Sequence, residues 1–192
     1  PPEAGAEPRP FEAATAAFVE VLELLLRATP ITLGVVEGPA MGGGVGLAAA
    51  CDLVIATENA SFALPELVLG LVPAMILPVL AGRLGLHRAK RWAITGATWE
   101  AGEATQQGLV DQKVPLDRLD AHLKRTLRNL MRMHPRGVTA LKRFADELDR
   151  RALLPAIRDG QRLLSGLLEQ PEVRAEIAAF RDYGILPGAL ES

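Results

Sequence analysis

Apolar residues near the start of the chain recur at helical spacing and then give way to short extended runs. From Phe11 to Leu25 they return every three or four residues, which predicts a helix that ends near Ala28. A glycine-rich loop is expected over residues 38–46, followed by a short helix over residues 47–51. Apolar runs rich in β-branched residues predict buried strands at residues 31–37, 52–57 and 60–64.

The pattern becomes helical further along the chain. Helices are predicted at residues 74–82, 86–94 and 98–107, the last capped by Thr98, and a short strand is predicted at residues 109–114. From Leu116 onwards, apolar residues recur only at helical spacing. We therefore expect an α/β fold with three regions: a linker over residues 1–10, a core over residues 11–115 and a helical region over residues 116–192.

Composition excludes several classes of protein. The 21 Lys and Arg against 23 Asp and Glu leave a net charge of −2, so the chain lacks the positive excess that nucleic-acid binding needs. A single cysteine, Cys51, excludes an internal disulfide and fits a reducing compartment. No apolar run reaches the roughly 18–20 residues that span a bilayer, and the segment Pro1–Pro10 has no signal-peptide pattern. We expect a cytoplasmic protein that binds neither membranes nor nucleic acid.

Three consecutive glycines, Gly42, Gly43 and Gly44, precede the predicted short helix. Without a Cβ atom they let the backbone come very close to a ligand, and the free N–H groups at a helix start attract negative charge. Such groups can hold an anion or a developing oxyanion. The alternative is that the glycines only permit tight packing of strand against helix, and the pattern favours the functional interpretation.

The same glycines also suggest a dinucleotide-binding loop. Residues 44–49 match the pattern G-x-G-x-x-A. However, the preceding strand ends near Glu37, and the acidic residue expected about 20 positions later would be Glu66, beyond a third strand. Both departures weaken this interpretation. A Walker phosphate loop is excluded because no Lys-Ser/Thr pair follows the glycines.

Glu66 is the candidate group for proton transfer. Residues 61–80 contain no basic side chain and are largely apolar. Apolar surroundings disfavour the ionised carboxylate, which suits acid/base chemistry near neutral pH. An exposed turn residue after Pro65 is an equally supported alternative.

Other chemistries find little support. His87, His122 and His134 do not have the spacing of metal ligands, and there is no G-x-S-x-G motif, so we expect neither a metal site nor a hydrolase. The basic stretches at residues 124–132 and 136–143 are expected to be solvated helix faces, with contact to an acidic carrier protein as the alternative.

The stretch from Ile31 to Val114 resembles the crotonase (enoyl-CoA hydratase/isomerase) superfamily. The matching pieces are VVEGPAMGGGVGLAAACDLVIATENASFALPELVLGLVPA and LAGRLGLHRAKRWAITGATWEAGEATQQGLVDQKVP. Their order is long and specific: a strand, a GGG loop, a helix, the CDLVIA strand, a PE pair and a GLVD segment. The resemblance implies a crotonase-like ββα spiral core with a helical C-terminal part, assembled as a homotrimer or hexamer.

The resemblance also implies roles for single residues. The Gly43 N–H would be one of two donors that hold the thioester oxygen of an acyl-CoA or acyl-carrier substrate. Glu66 aligns with the second of two hydratase glutamates, whereas Gly46 stands where the first would be, so a two-glutamate hydratase mechanism is not expected. No cofactor is implied beyond the CoA or phosphopantetheine that carries the substrate. Further substrate-binding residues would be Met41, Gly42, Gly44, Leu64 and Pro65.

Two departures from the family refine this expectation. The other oxyanion donor and much of the CoA-binding surface lie before the first helix in the family, and we expect that part to be absent here. Gly46 together with SFALPELVLGLVPA is most similar to dehydratases of polyketide β-branching cassettes. The similarity implies a lyase that dehydrates a 3-hydroxyacyl thioester, such as 3-hydroxy-3-methylglutaryl on acyl carrier protein or CoA. A decarboxylase or double-bond isomerase on a similar thioester, and a non-catalytic crotonase-like scaffold subunit, are the alternatives.

Overall fold

The computed structural model describes residues 10–183, with side chains for all of these except 10–12, 146–154, 176, 180, 181 and 183. Short 3₁₀ turns cover Glu66–Leu69 and Leu116–Arg118. The helices and strands are α1 (Pro10–Arg27), β1 (Leu33–Val36), β2 (Pro39–Met41), α2 (Gly43–Ala50), β3 (Leu53–Thr57), β4 (Ser61–Ala63), α3 (Leu77–Leu84), α4 (Leu86–Thr95), β5 (Trp99–Glu100), α5 (Ala101–Gln107), β6 (Gln112–Val114), α6 (Leu119–Leu130), α7 (Pro135–Leu168) and α8 (Pro171–Tyr183).

The strands form two three-stranded sheets, in the orders β1-β3-β6 and β2-β4-β5. All pairs in the first sheet are parallel, and in the second sheet β2 and β4 are parallel while β4 and β5 are antiparallel. The chain therefore passes from the first sheet to the second twice, from β1 to β2 and from β3 to β4, with a helix after each passage. This repeated ββα unit confirms the predicted spiral core.

The glycine-rich loop predicted over residues 38–46 is wrong in part. Pro39–Met41 forms β2, which pairs with Ser61–Ala63, and α2 begins at Gly43 rather than at residue 47. Proline is disfavoured in strands and glycine in helices, so the local pattern of Pro39 and the following glycines indicated a loop. Pairing with β4 and close packing against neighbouring segments override that propensity.

The predicted cap at Thr98 is also wrong. Trp99 and Glu100 pair with β4 as β5, and the following helix, α5, has Glu100 at its N-cap position. Trp99 is buried and stacks on Trp92, with ring centroids 3.7 Å apart. This tertiary contact favours a strand at residues 99–100, so the helix begins at Ala101 rather than at residue 98.

The C-terminal helices pack on the core of their own chain. Helix α7 contacts α1 and α3, and Ile157 of α7 is fully buried in the main hydrophobic cluster. The Lys142 ammonium lies 2.6 Å from the Asp52 carboxylate and also donates to the Pro30 carbonyl, which ties α7 to the start of the first sheet. No helix within residues 10–183 is long and apolar enough to cross a membrane.

The contact between α7 and the segment before α3 is testable at Gly160. A Cβ atom there would overlap the Ala74 carbonyl and lie 3.0 Å from the Met75 nitrogen. We expect Gly160→Ala to lower the free energy of unfolding by about 1–3 kcal/mol, the usual cost of overpacking, as measured by chemical denaturation.

Gly166 of the same helix provides the matched control. It is exposed, with nothing within 4 Å of a Cβ atom at its position, so Gly166→Ala should stabilise the protein by about 0.5–1 kcal/mol through helix propensity. Equal stability of the two variants would show that α7 does not pack on Ala74.

Candidate active site

The turn between β2 and α2 exposes free backbone donors at a helix start. Gly42 has φ of 49°, a left-handed conformation that glycine adopts readily, and its N–H donates to the Ala63 carbonyl at 3.0 Å. The Gly46 N–H donates to the Gly42 carbonyl at 3.2 Å. The N–H groups of Gly43, Gly44 and Val45 therefore precede the first intrahelical bond and have no acceptor within α2.

Glu66 lies against this turn. It follows Pro65 as the first residue of a 3₁₀ turn, and its own carbonyl accepts a hydrogen bond from Leu71 N–H at 2.9 Å. Its carboxylate oxygen Oε1 lies 2.9 Å from the position that a Cβ atom on Gly42 would occupy. Gly42 has no Cβ atom and a positive φ, which permit this approach, so the structure brings Glu66 to the start of α2.

One oxygen of the half-buried Glu66 side chain is shut off from solvent. Its Oε2 atom is inaccessible and has no hydrogen-bond partner within the described part of the chain. Burial raises the pKa of Glu66 above its ordinary value of 4.5, and its own backbone N–H opposes this shift in part. A carboxyl group in this environment is suited to accept and return a proton near neutral pH. Glu66 is a turn residue after Pro65, but it is half-buried rather than exposed.

The three glycines of the predicted site face different neighbours. A Cβ atom on Gly43 would lie 3.1 Å from the ring of Phe18 in α1, so one side of this residue is closed by an aromatic ring. Gly44 is exposed beside Ala40. The two described cavities, of about 250 and 430 Å³, are lined by other residues, and the opening of the Gly43 N–H into a substrate cavity stays a prediction.

The other predicted substrate-binding residues differ in exposure. Met41, at the end of β2, is 62% exposed and available to a ligand. Pro65 is half-buried at the cap of the 3₁₀ turn. Leu64 is 1% exposed and belongs to the hydrophobic core, so its side chain packs in the core rather than on a surface that a ligand could reach.

Two apolar neighbours of the site, Phe18 and Ile76, were not among the residues predicted from the sequence. Phe18 belongs to the apolar stripe of α1 and reads as an ordinary core position. A Cβ atom on Gly46 would overlap Ile76 Cγ2 and lie 3.7 Å from Phe18 Cζ. Position 46, where the crotonase resemblance places a first glutamate in hydratases, therefore has no room for any side chain.

The remaining chemical groups do not form a second centre. No cluster of three or more His, Cys, Asp or Glu side chains able to hold a metal occurs among the described residues. The Cys51 thiol donates to the Leu47 carbonyl, and burial raises its pKa. The dinucleotide interpretation is also unsupported, because Gly44 and Gly46 lie inside α2 rather than in a loop that leads into it.

Comparison with known proteins agrees with this geometry. The family model for enoyl-CoA hydratase/isomerase matches residues 4–184. The chain belongs to this family. The crotonase resemblance and the fold class inferred from the sequence are therefore confirmed.

Individual members of the family show how far the match extends. The bacillaene synthase dehydratase PksH of Bacillus subtilis is 31% identical over 160 residues, covering 82% of this chain and 60% of that protein. The 2,3-dehydroadipyl-CoA hydratase of Escherichia coli is 30% identical over 149 residues, covering 77% of this chain and 58% of that protein. The chain thus spans about 60% of the length of these curated relatives.

Solved structures give the same result. The crystal structure of PksH from Bacillus subtilis superposes with a TM-score of 0.81 and 28% identity, over 88% of this chain and 66% of that one. An enoyl-CoA hydratase from Mycobacterium avium subsp. paratuberculosis superposes with a TM-score of 0.80 and 27% identity, over 86% of this chain and 70% of that one.

The raised pKa of Glu66 leads to a test that requires no substrate. The folded protein holds the Glu66 proton more tightly than the unfolded chain, so stability is lost as pH rises from 4.5 through the raised pKa. Glu66→Gln cannot ionise, and we expect it to melt at a higher temperature than the parent at neutral pH. The difference should close below pH 4.5, as followed by thermal unfolding across the acidic range. Equal melting temperatures at every pH would contradict the burial of a charged carboxylate.

Proposed function

We propose that the site removes water from a 3-hydroxyacyl thioester through an enolate held at the start of α2. The proposal rests on one observation: the Glu66 carboxylate, whose Oε2 atom is buried and unpartnered among the described residues, lies against Gly42, next to backbone donors that have no acceptor in the helix. A general acid/base group and an oxyanion-binding group are what elimination next to a thioester carbonyl requires.

The chemistry begins at the thioester oxygen. The Gly43 N–H donates to this oxygen, and the positive end of the α2 dipole favours the negative charge that develops there. The Glu66 carboxylate takes the proton from C2, and the electron pair of the C2–H bond forms the enolate. The enolate then collapses, the C2=C3 bond forms and the C3–O bond breaks. Glu66 returns its proton to the departing hydroxyl, so water leaves and the carboxylate is regenerated.

Similarity to the dehydratase PksH supports a substrate of the polyketide type. We propose 3-hydroxy-3-methylglutaryl carried on acyl carrier protein or CoA, with 3-methylglutaconyl thioester as the product. No metal or further cofactor takes part in the steps above. The free thiol of Cys51 suits a reducing environment, and we propose the cytoplasm as the location.

Mass spectrometry of thioesters incubated with the protein tests this function. We expect loss of water from a 3-hydroxyacyl thioester, and a rate about 10²–10⁴-fold lower in Glu66→Gln, because that variant keeps the shape and loses the acid/base group. Glu58→Gln is the matched control: Glu58 is an exposed carboxylate at the end of β3 and should leave the rate unchanged.

The same assay separates the alternatives. Loss of carbon dioxide would identify a decarboxylase, and a moved double bond at constant mass would identify an isomerase. Parent and Glu66→Gln rates that agree would refute the role of Glu66, and a protein inert toward all thioesters would be a scaffold subunit.

We also propose assembly into a homotrimer or hexamer through the helical region. Large apolar side chains are exposed on α6 and α7, including Leu141 at 68% and Phe144 at 61%, and Met131 between the two helices is 83% exposed. Such a concentration of apolar surface is typical of a protein interface. Light scattering should give a trimer or a multiple of three, and a double exchange of Leu141 and Phe144 to Glu should lower the mass. A parent protein that runs as a monomer would contradict the assembly.

A further inference from the structure

Ile76 and Glu66 both pack against the first turn of helix α2. Gly42 is the N-cap residue of α2, and its carbonyl accepts a hydrogen bond from the Gly46 N–H at 3.2 Å, so the first hydrogen bond of the helix joins the two positions. At Gly42 the space for a Cβ atom is taken by the Glu66 carboxylate, and at Gly46 it is taken by the Ile76 side chain. The carboxylate and the isoleucine therefore pack against two residues that this hydrogen bond joins, at the first turn of α2.

The surrounding structure prevents Ile76 from moving away. Ile76 is 3% exposed, its N–H donates to the Pro73 carbonyl at 3.2 Å, and its carbonyl accepts from Leu80 N–H at 2.9 Å. Behind it, Gly160 of α7 presses on the backbone of residues 74–75. The β-branched side chain is thus held between α2 and α7 with few rotamers available.

Phe18 packs against the same turn of α2. The three atoms nearest to a Cβ on Gly43 all belong to the Phe18 ring, and those nearest to a Cβ on Gly46 belong to Ile76 and Phe18. The atoms nearest to Gly43 and Gly46 are therefore all carbon atoms, which neither hold a water molecule nor titrate.

We propose that Ile76 is a specificity-determining residue that limits the site to one acid/base group. It fills the position from which a second carboxyl group or an ordered water would reach the reacting carbons. This inference rests on the proposed dehydration. The proton that Glu66 takes from C2 then has no water to exchange with, and it leaves on the C3 hydroxyl as the C3–O bond breaks and C2=C3 forms.

Proton exchange measures this shielding directly. The protein is incubated with a 3-hydroxyacyl thioester in deuterated water, and deuterium at C2 of the recovered substrate is compared with the amount of product. We expect a low ratio of exchange to elimination in the parent and a severalfold higher ratio in Ile76→Ala, because water reaches the protonated Glu66. The ratio does not depend on how much of the protein is folded, so a merely structural role would leave it unchanged.

Two variants serve as controls in the exchange experiment. Ile76→Val keeps the β-branched wall and should stay near the parent ratio. Leu84→Ala removes a buried side chain at the far end of α3 and should also leave the ratio at the parent value. If the Ile76→Ala ratio equals that of the parent, or if Leu84→Ala raises it equally, Ile76 does not shield Glu66 and the inference is overturned.

A second experiment compares melting temperatures and does not depend on catalysis. Gly46→Ala and Ile76→Ala should each lower the melting temperature, one through overlap and the other through a cavity. The double variant should melt above the temperature given by adding the two losses, because the new methyl group enters the vacated space. Losses that simply add would overturn the packing on which the inference depends. A parent that dehydrates no thioester overturns the proposed function and this inference together, whereas an unchanged exchange ratio in an active protein overturns the inference alone.

Discussion

The start of α2 approaches its neighbours so closely that no side chain fits at two of its positions. The Glu66 carboxylate takes the space at Gly42, and Ile76 takes the space at Gly46. Because the glycine backbone lies directly against the carboxylate, one end of a helix offers hydrogen-bond donors and an acid/base group together. The rest of the fold holds this contact in position.

The register of strands β2 and β4 brings Gly42 and Glu66 together. Met41 pairs with Ala63 in the parallel ladder of β2 and β4, and the next residue, Gly42, donates its N–H to the Ala63 carbonyl. The chain segments that leave the two strands therefore emerge side by side, which carries Pro65 and Glu66 to the turn. A shift of one residue would reverse the faces of the strand and remove the contact.

Glu66 differs from other polar groups near the core because one of its carboxylate oxygens, Oε2, is buried and has no hydrogen-bond partner among the described residues. Arg83, for comparison, donates to the carbonyls of Cys51 and Leu109 and to the Asp111 carboxylate, which also accepts from the Val54 N–H. A buried carboxylate oxygen without a hydrogen bond lowers stability, and such exceptions concentrate at functional sites. The satisfied network around Arg83 and the packing of α7 behind residues 74–76 offset this loss.

The sequence by itself determined the family, most of the helices and strands, and the two groups of the candidate site. The GGG segment and Glu66 were identifiable because their residue types are informative locally: glycine permits close approach, and an acid in an apolar stretch is unusual. Only the tertiary structure decided that residues 39–41 form a strand, that α2 begins at Gly43, and that Ile76 fills the space over Gly46. Each of these depends on partners distant along the chain, such as Ser61–Ala63 for the strand. Local propensity carries no information about such partners, because pairing and close packing are settled only when the distant segments meet.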